Sequence, residues 1–226
     1  MPRNDIDVFI FMKRRILKFL IALTLFFAAS FCFALTKVAC VGDSITAGSG
    51  IKNPAKDSYP AVLGALLGGE YEVKNFGVSG RTLLNSGDFP YMKEKKYAQS
   101  LEFAPDIVII KLGTNDSKPQ NWKHKAEFEA DFKKLVKSYR DLPSKPKIII
   151  ATQMYVAKSA WGITNKVVED EVMPLTLKLA KKLGLPVIDF YAAFDGRADL
   201  LCDGVHPNEA GARKMAEICR DKILGK

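Results

Sequence analysis

The sequence is poor in the residues that bind metals and form disulfides. Its 226 residues include two histidines and four cysteines. No His or Cys pair has the spacing of a structural zinc site. If residues 1–34 are removed, as argued below, three widely spaced cysteines remain: Cys40, Cys202 and Cys219. An odd number at such spacing excludes a disulfide framework, although the pairing of Cys202 with Cys219 stays open.

Sequence motifs for nucleotides and nucleic acids are also missing. Neither the G-x-x-x-x-G-K-[ST] loop nor the G-x-G-x-x-G fingerprint occurs in the chain. Beyond residue 34 there are 29 basic and 23 acidic residues, spread along the chain without an aromatic-basic stripe. This modest excess is typical of a solvated surface, and we expect no nucleic-acid partner.

A basic and then apolar segment opens the chain. Three basic residues at 13–15 precede an apolar run over 19–35, in which Ala34 supplies a small residue for cleavage. This pattern predicts a signal peptide over 1–34 and a secreted or periplasmic protein without stable membrane insertion after cleavage. An uncleaved N-terminal anchor is the alternative. Met12 directly precedes the basic residues and is an alternative start.

The remainder, 35–226, alternates short apolar runs with longer amphipathic ones, which indicates one domain. Strands are predicted at 37–43, 71–77, 106–113, 147–153 and 186–191. Helices are predicted at 59–68, 125–142, 166–183 (interrupted at Pro174) and 207–224. Five strands alternating with helices predict an α/β fold, a three-layer α/β/α sandwich around a five-stranded parallel sheet.

Polar residues follow the strand ends, where sites form in such sheets. Ser44 follows the first strand in "VGDSITAG", and Gly80 follows the second in "NFGVSGRT". Asn115 follows the third in "LGTND", while Asp203 and His206 lie in "DGVHP" before the last helix. A hydroxyl, a base, a carboxylate and oxyanion donors are the groups that acyl transfer requires.

These four segments, in this order, resemble the SGNH hydrolases, also called GDSL esterases and lipases. The resemblance covers the chain from about residue 37 to the last helix. It implies a flavodoxin-like sheet, a Ser44 nucleophile and a triad completed by Asp203 and His206. It further implies that the Ser44 and Gly80 backbone and the Asn115 side chain donate to the oxyanion, and that no metal or cofactor takes part.

Histidine content supports this assignment independently. His124 lies between Lys123 and Lys125 at a helix start and is expected at the solvated surface. The base near neutral pH is therefore His206 or a perturbed carboxylate. Asp203, one tight turn earlier, is placed to accept from His206 and fix its tautomer.

Structural roles remain open for the same residues. Ser44 is also a suitable helix N-cap, and Asp203 a suitable cap or turn residue before the last helix. Asn115 and Asp116 are common turn formers. We assign Asp43 and Asp116 to hydrogen bonds that hold their loops rather than to chemistry.

The substrate is less constrained by the residues. Trp122 and Trp161 fall in loops after strands three and four, where an indole suits a sugar ring or packs beneath its neighbours. The chain around "LGTNDSKPQNW" resembles secreted bacterial proteins of the sialate O-acetylesterase and acetylxylan esterase type. This predicts an esterase for short acyl groups, above all O-acetyl groups of small or oligomeric carbohydrates.

Two alternatives to this function remain. A lysophospholipase or thioesterase of the same fold is one, and a non-catalytic flavodoxin-like phosphate-binding module is the other. Arg81 departs from the family pattern, because many relatives have an acidic residue after the glycine. Arg81 either binds an acidic substrate such as sialic acid or pairs with a carboxylate of a neighbouring loop, which we favour.

Overall fold

The computed structural model describes residues 34–226, and Leu35–Lys226 form one compact unit. The predicted signal peptide lies outside the described residues except for Ala34. The strands are β1 (Thr36–Gly42), β2 (Tyr71–Gly77), β3 (Ile107–Lys111), β4 (Lys147–Ala151) and β5 (Val187–Ile188). They form one parallel sheet in the order β2-β1-β3-β4-β5, which confirms the predicted α/β class.

Ten α-helices are described over the same range. They are α1 (Ser44–Ala47), α2 (Pro54–Asp57), α3 (Tyr59–Leu67), α4 (Lys95–Glu102), α5 (Pro119–Trp122), α6 (Phe128–Arg140), α7 (Asn165–Val167), α8 (Met173–Lys182), α9 (Phe190–Phe194) and α10 (Glu209–Leu224). Five 3₁₀ or π turns complete the set: Tyr91–Lys93, Asn115–Ser117, Lys125–Glu127, Val168–Val172 and Ala198–Leu200. Between residues 34 and 226, no helix combines the length and apolar character needed to span a bilayer.

Alternation along β1 divides the core into two layers. Val38 and Cys40 point to one face, where they pack with α3 and α10. Ala39 and Val41 point to the other face, towards α6 and α8. All four side chains are fully buried, as expected for a central parallel strand covered by helices on both sides.

The fifth strand is much shorter than predicted. The apolar run 186–191 forms a strand only over Val187–Ile188. Asp189 ends it, because its carboxylate accepts from the Ala192 backbone N–H and caps α9. A side-chain cap has therefore converted the second half of the run into helix.

Two predicted helices also differ at specific points. The run 166–183 is helical without a break at Pro174, which occupies the first turn of α8 after the π turn. The run 207–224 begins its helix two residues later than predicted. Asn208 is its N-cap and accepts from the Gly211 N–H at 3.0 Å.

Strand order creates a crevice at one edge of the sheet. The chain passes from β1 outward to β2, then returns across β1 to β3. The connections therefore diverge between β1 and β3, which is where α/β sheets bind ligands. Gly42 and Lys111, which end these two strands, are register partners.

Close packing of β2 against α1 gives a test of this arrangement. A Cβ on Gly77 would lie 2.6 Å from the Thr46 carbonyl carbon and 2.8 Å from Ala47 Cα. Because both obstacles are backbone, we expect Gly77→Ala to lower the free energy of unfolding by about 3 kcal/mol in urea titrations. Gly69→Ala is the control, since a Cβ there meets no atom within 4 Å, and should change stability by less than about 0.5 kcal/mol. Equal stability of the two variants would contradict the packing.

Candidate active site

Ser44 occupies the first position of α1, immediately after β1. Its predecessor Asp43 is the N-cap, because the Asp43 Oδ1 accepts from the Ile45 N–H at 3.0 Å. The capping alternative for Ser44 is therefore wrong. The Ser44 hydroxyl instead lies 2.8 Å from His206 Nε2, to which it can donate.

His206 is held from its other side by Asp203. The His206 Nδ1–H donates to Asp203 Oδ2 at 2.7 Å, which leaves Nε2 as the acceptor. Asp203 Oδ1 accepts from the backbone N–H groups of Val205 and His206 at 2.9 and 2.8 Å. Burial opposes ionisation of Asp203, but these hydrogen bonds and the imidazole hold its pKa below the ordinary value. Asp203 does not cap α10, whose N-cap is Asn208.

A cavity of about 220 Å³ opens beside this hydrogen-bonded chain. Five predicted site residues line it: Ser44, Gly80, Asn115, Trp161 and His206. Gly80 has φ +80°, and a Cβ there would meet no protein atom within 4 Å. Its backbone thus faces open space in a conformation that favours glycine.

The Asn115 amide is fixed by a single hydrogen bond. It is buried, and its Nδ2 donates to the Arg81 carbonyl at 3.1 Å. An amide nitrogen carries two hydrogens, so one remains for a ligand in the cavity. Two backbone turns, at Ser44 and Gly80, and the Asn115 side-chain amide therefore line one space.

Asp116 ties the loops that carry Gly80 and Asn115, as predicted from the sequence. Its carboxylate accepts from the backbone N–H groups of Leu83 and Leu84 at 3.0 and 2.8 Å. Burial raises the pKa of Asp116 to about 7, against the effect of these two donors. Asp116 is fully buried and does not line the cavity.

The two tryptophans differ in exposure and position. Trp161 lines the cavity, is 59% exposed, and places its ring centroid 5.3 Å from that of His206. Trp122 is 8% exposed and packs edge-on against Phe128 in the core. Its indole N–H donates to Glu171 at 2.8 Å. The prediction that Trp122 binds substrate is therefore wrong, because its ring packs against Phe128 and its indole N–H is bonded to Glu171.

Arg81 adopts the structural pairing favoured from the sequence. Its guanidinium contacts Glu94 at 2.8 Å and donates to the Ser79 carbonyl at 2.7 Å. Its side chain also lies over the exposed Phe89 ring. Arg81 is absent from the cavity lining, so the alternative of binding an acidic substrate lacks support.

Four cavity residues were missed by the sequence analysis: Ser49, Ser79, Lys118 and Ile163. The Ser49 and Ser79 hydroxyl oxygens lie 2.9 Å apart and share a hydrogen bond. Ser79 follows the end of β2 by two residues, so its position was an available signal, whereas Ser49 lies beyond α1 and had none. Lys118 and Ile163 lie farther along their loops, where strand ends give no guidance.

Other candidate sites are less complete. A cavity of about 460 Å³ lies beside α3 and β2, and its lining includes Ser58, Lys74 and Lys96 but no histidine. Residues 34–226 contain no group of three His, Cys, Asp or Glu side chains arranged to hold a metal ion. Cys202 and Cys219 are both free thiols, the first exposed and the second buried.

Comparison with known proteins finds a family match and curated relatives. Residues 40–214 match the model of the GDSL-like lipase/acylhydrolase family. An acetylxylan esterase of Xylanibacter ruminicola is 48% identical over 200 residues, which cover 80% of this chain and 42% of that protein. A multidomain esterase of Ruminococcus flavefaciens is 27% identical over 169 residues, which cover 69% of this chain and 21% of that protein. The chain thus spans less than half the length of either curated relative.

A solved structure supports the fold. A carbohydrate acetylesterase from Sinorhizobium meliloti superimposes with a TM-score of 0.65 at 21% identity. The match covers 84% of this chain and 98% of that one. At this identity the likeness establishes the shared α/β/α architecture.

Proposed function

Because the chain belongs to the GDSL-like lipase/acylhydrolase family, we propose that it is a serine esterase that removes acetyl groups from carbohydrates. The observation that carries the proposal is the continuous hydrogen-bonded chain from Asp203 through His206 to Ser44, which ends in an open cavity. A nucleophile within reach of an oriented base is the arrangement that acyl transfer needs.

The first half-reaction forms an acyl-enzyme. Ser44 Oγ attacks the ester carbonyl carbon while its proton passes to His206 Nε2 over the 2.8 Å hydrogen bond. The developing oxyanion accepts from the Ser44 and Gly80 backbone N–H groups and from the free Asn115 amide hydrogen. Asp203 stabilises the imidazolium, which then protonates the leaving alcohol as the C–O bond breaks.

Water completes the reaction by the same path. His206 takes a proton from a water molecule, whose oxygen attacks the acyl carbon bound to Ser44. The tetrahedral intermediate collapses, the proton returns to Ser44 Oγ, and the carboxylic acid leaves. Because Trp161 lines the cavity and is largely exposed, water can enter and the alcohol can leave on that side.

Cavity size and lining favour a short acyl group. The space of about 220 Å³ is bordered by the Ser49 and Ser79 hydroxyls and by the bare backbone of Gly80. Trp161 and Ile163 are its large apolar members. A space of this size, with only two large apolar side chains in its lining, suits an acetyl group better than a fatty acyl chain.

Trp161 supports a carbohydrate as the alcohol part. It forms a two-residue turn with Gly162, with φ of +52° and +81°, closed by backbone hydrogen bonds between Ala160 and Ile163. A bulky residue in this left-handed region costs roughly 1–2 kcal/mol. The turn thereby presents an indole face to solvent beside His206, and the C–H face of a sugar ring can stack on it.

Export of the enzyme fits a polysaccharide substrate. We propose a secreted or periplasmic location on the basis of the basic and apolar pattern at 13–34. N-terminal sequencing of the protein recovered outside the cytoplasm should begin at Leu35. Recovery of a membrane-bound chain that retains residues 1–34 would favour the anchor instead.

Ester hydrolysis should depend on Ser44 and on a short acyl chain. We expect Ser44→Ala to lower kcat on 4-nitrophenyl acetate by about 10⁴-fold or more, because the nucleophile is lost. Ser138→Ala, which removes a hydroxyl bonded to the Leu135 carbonyl on α6, is the control and should stay within twofold of wild type. Wild type should cleave the acetyl ester at least tenfold faster than the octanoyl ester, by kcat/KM. Faster octanoyl cleavage would favour a lysophospholipase or thioesterase.

Removal of the indole should affect sugar esters selectively. We expect Trp161→Ala to raise KM for acetylated xylo-oligosaccharide about tenfold, since one stacking contact is worth about 1.4 kcal/mol. KM for vinyl acetate, which has no ring, should change less than threefold. Phe89→Ala is the matched control, because Phe89 is 54% exposed but does not line the cavity. Equal effects of Trp161→Ala on the two esters would exclude a sugar platform.

A further inference from the structure

Lys111 is a charged residue at the end of a strand whose other side chains are apolar. It follows "IVII" in β3, and its side chain is fully buried. Buried lysines are rare unless they are paired. The partner here is Asp43, also fully buried, whose Oδ2 and Oδ1 lie 3.1 and 3.4 Å from Lys111 Nζ.

A second hydrogen bond extends this pair to the next loop. Lys111 Nζ donates to the Thr114 hydroxyl at 2.6 Å. Thr114 directly precedes Asn115, whose amide borders the cavity. On the other side, Asp43 directly precedes Ser44 and caps α1 through the Ile45 N–H. One ammonium group therefore contacts residues of both the Ser44 turn and the Asn115 turn.

We infer that Lys111 is a positioning residue that holds the Ser44 turn and the Asn115 turn in register for oxyanion binding. The inference rests on the proposed esterase function and adds a residue outside the cavity to it. Lys111 does not touch the substrate space, since it is absent from the cavity lining. Its effect on the reaction passes through Asp43 and Thr114.

The charge of Lys111 matters because its surroundings exclude water. Burial lowers the pKa of Lys111, whereas Asp43 and the nearby Asp116 oppose that change. An ion pair in such a site is held in one geometry by its own attraction and by the hydrogen bonds around it. Without Lys111, the Asp43 carboxylate would remain buried without a cation, directly behind the nucleophile. The cap on α1 would then carry an uncompensated charge.

Paired substitutions test whether this charge balance positions Ser44. In Lys111→Met, kcat on 4-nitrophenyl acetate should fall about 10- to 100-fold with KM within threefold, because a small misplacement of the reacting groups slows chemistry more than binding. In Asp43→Asn/Lys111→Met both charges are gone, and the Asn oxygen can still cap α1. This double variant should recover kcat to within about fivefold of wild type. Lys74→Met, which removes a lysine from a surface ion pair, should leave kcat unchanged.

Thermal unfolding separates positioning from stability. Lys111→Met should also lower the unfolding midpoint by roughly 10 °C, so kinetics are measured well below that temperature. If Lys111→Met does not fold, the double variant alone decides, and a kcat near wild type supports the inference. Two outcomes overturn it: a Lys111→Met kcat within twofold of wild type, or a folded double variant that is as slow as or slower than one hundredth of wild type. Failure of wild type to cleave any ester would instead refute the proposed function.

Discussion

The hydrogen bond between Ser44 and His206 joins two residues that lie 162 positions apart, and the site exists only where the fold makes that bond possible. Ser44 is fixed by the end of β1, an interior strand of the sheet. His206 is carried by the turn before α10, which packs on α3 and on the same face of β1. A shift of α10 relative to the sheet would move the His206 imidazole out of hydrogen-bond range of the Ser44 hydroxyl. The core of the domain is thus a condition of its chemistry.

The parallel sheet explains why the strands and most of the candidate site residues could be predicted from the sequence. Continuous apolar runs mark buried strands, and all such strands end at one edge, so the residues after them converge without any knowledge of loops. Ser44, Gly80 and Asn115 were found in this way, and "DGVHP" supplied the remaining pair. Trp122 and the end of β5 were mispredicted for a shared reason. Each depends on a local side-chain contact, Trp122 with Glu171 and Asp189 with Ala192, which periodicity does not encode.

Three charged side chains lie buried behind the residues that line the cavity. Asp43, Lys111 and Asp116 are fully buried behind or beside the turns that present Ser44 and Asn115. Five of the nine residues that line the cavity contribute a hydroxyl, an amide or bare backbone, and the other four are Lys118, Trp161, Ile163 and His206. Such layering lets fixed charges orient the donors without competing for the substrate. The sequence shows a lysine at the end of an apolar strand. Its pairing with Asp43 could not be predicted, because it depends on the register that places Lys111 opposite Gly42.

Backbone strain is concentrated on the solvent side of the same cavity. Trp161 adopts a left-handed conformation that asparagine or glycine would adopt at lower cost, and the turn exposes its large apolar ring. Neither feature stabilises the isolated domain. In the proposed function, a ligand stacks on this indole beside His206 and buries the surface that folding leaves in water. In the proposed mechanism, the buried charges behind Ser44 serve chemistry, and the exposed ring of Trp161 serves recognition of the substrate.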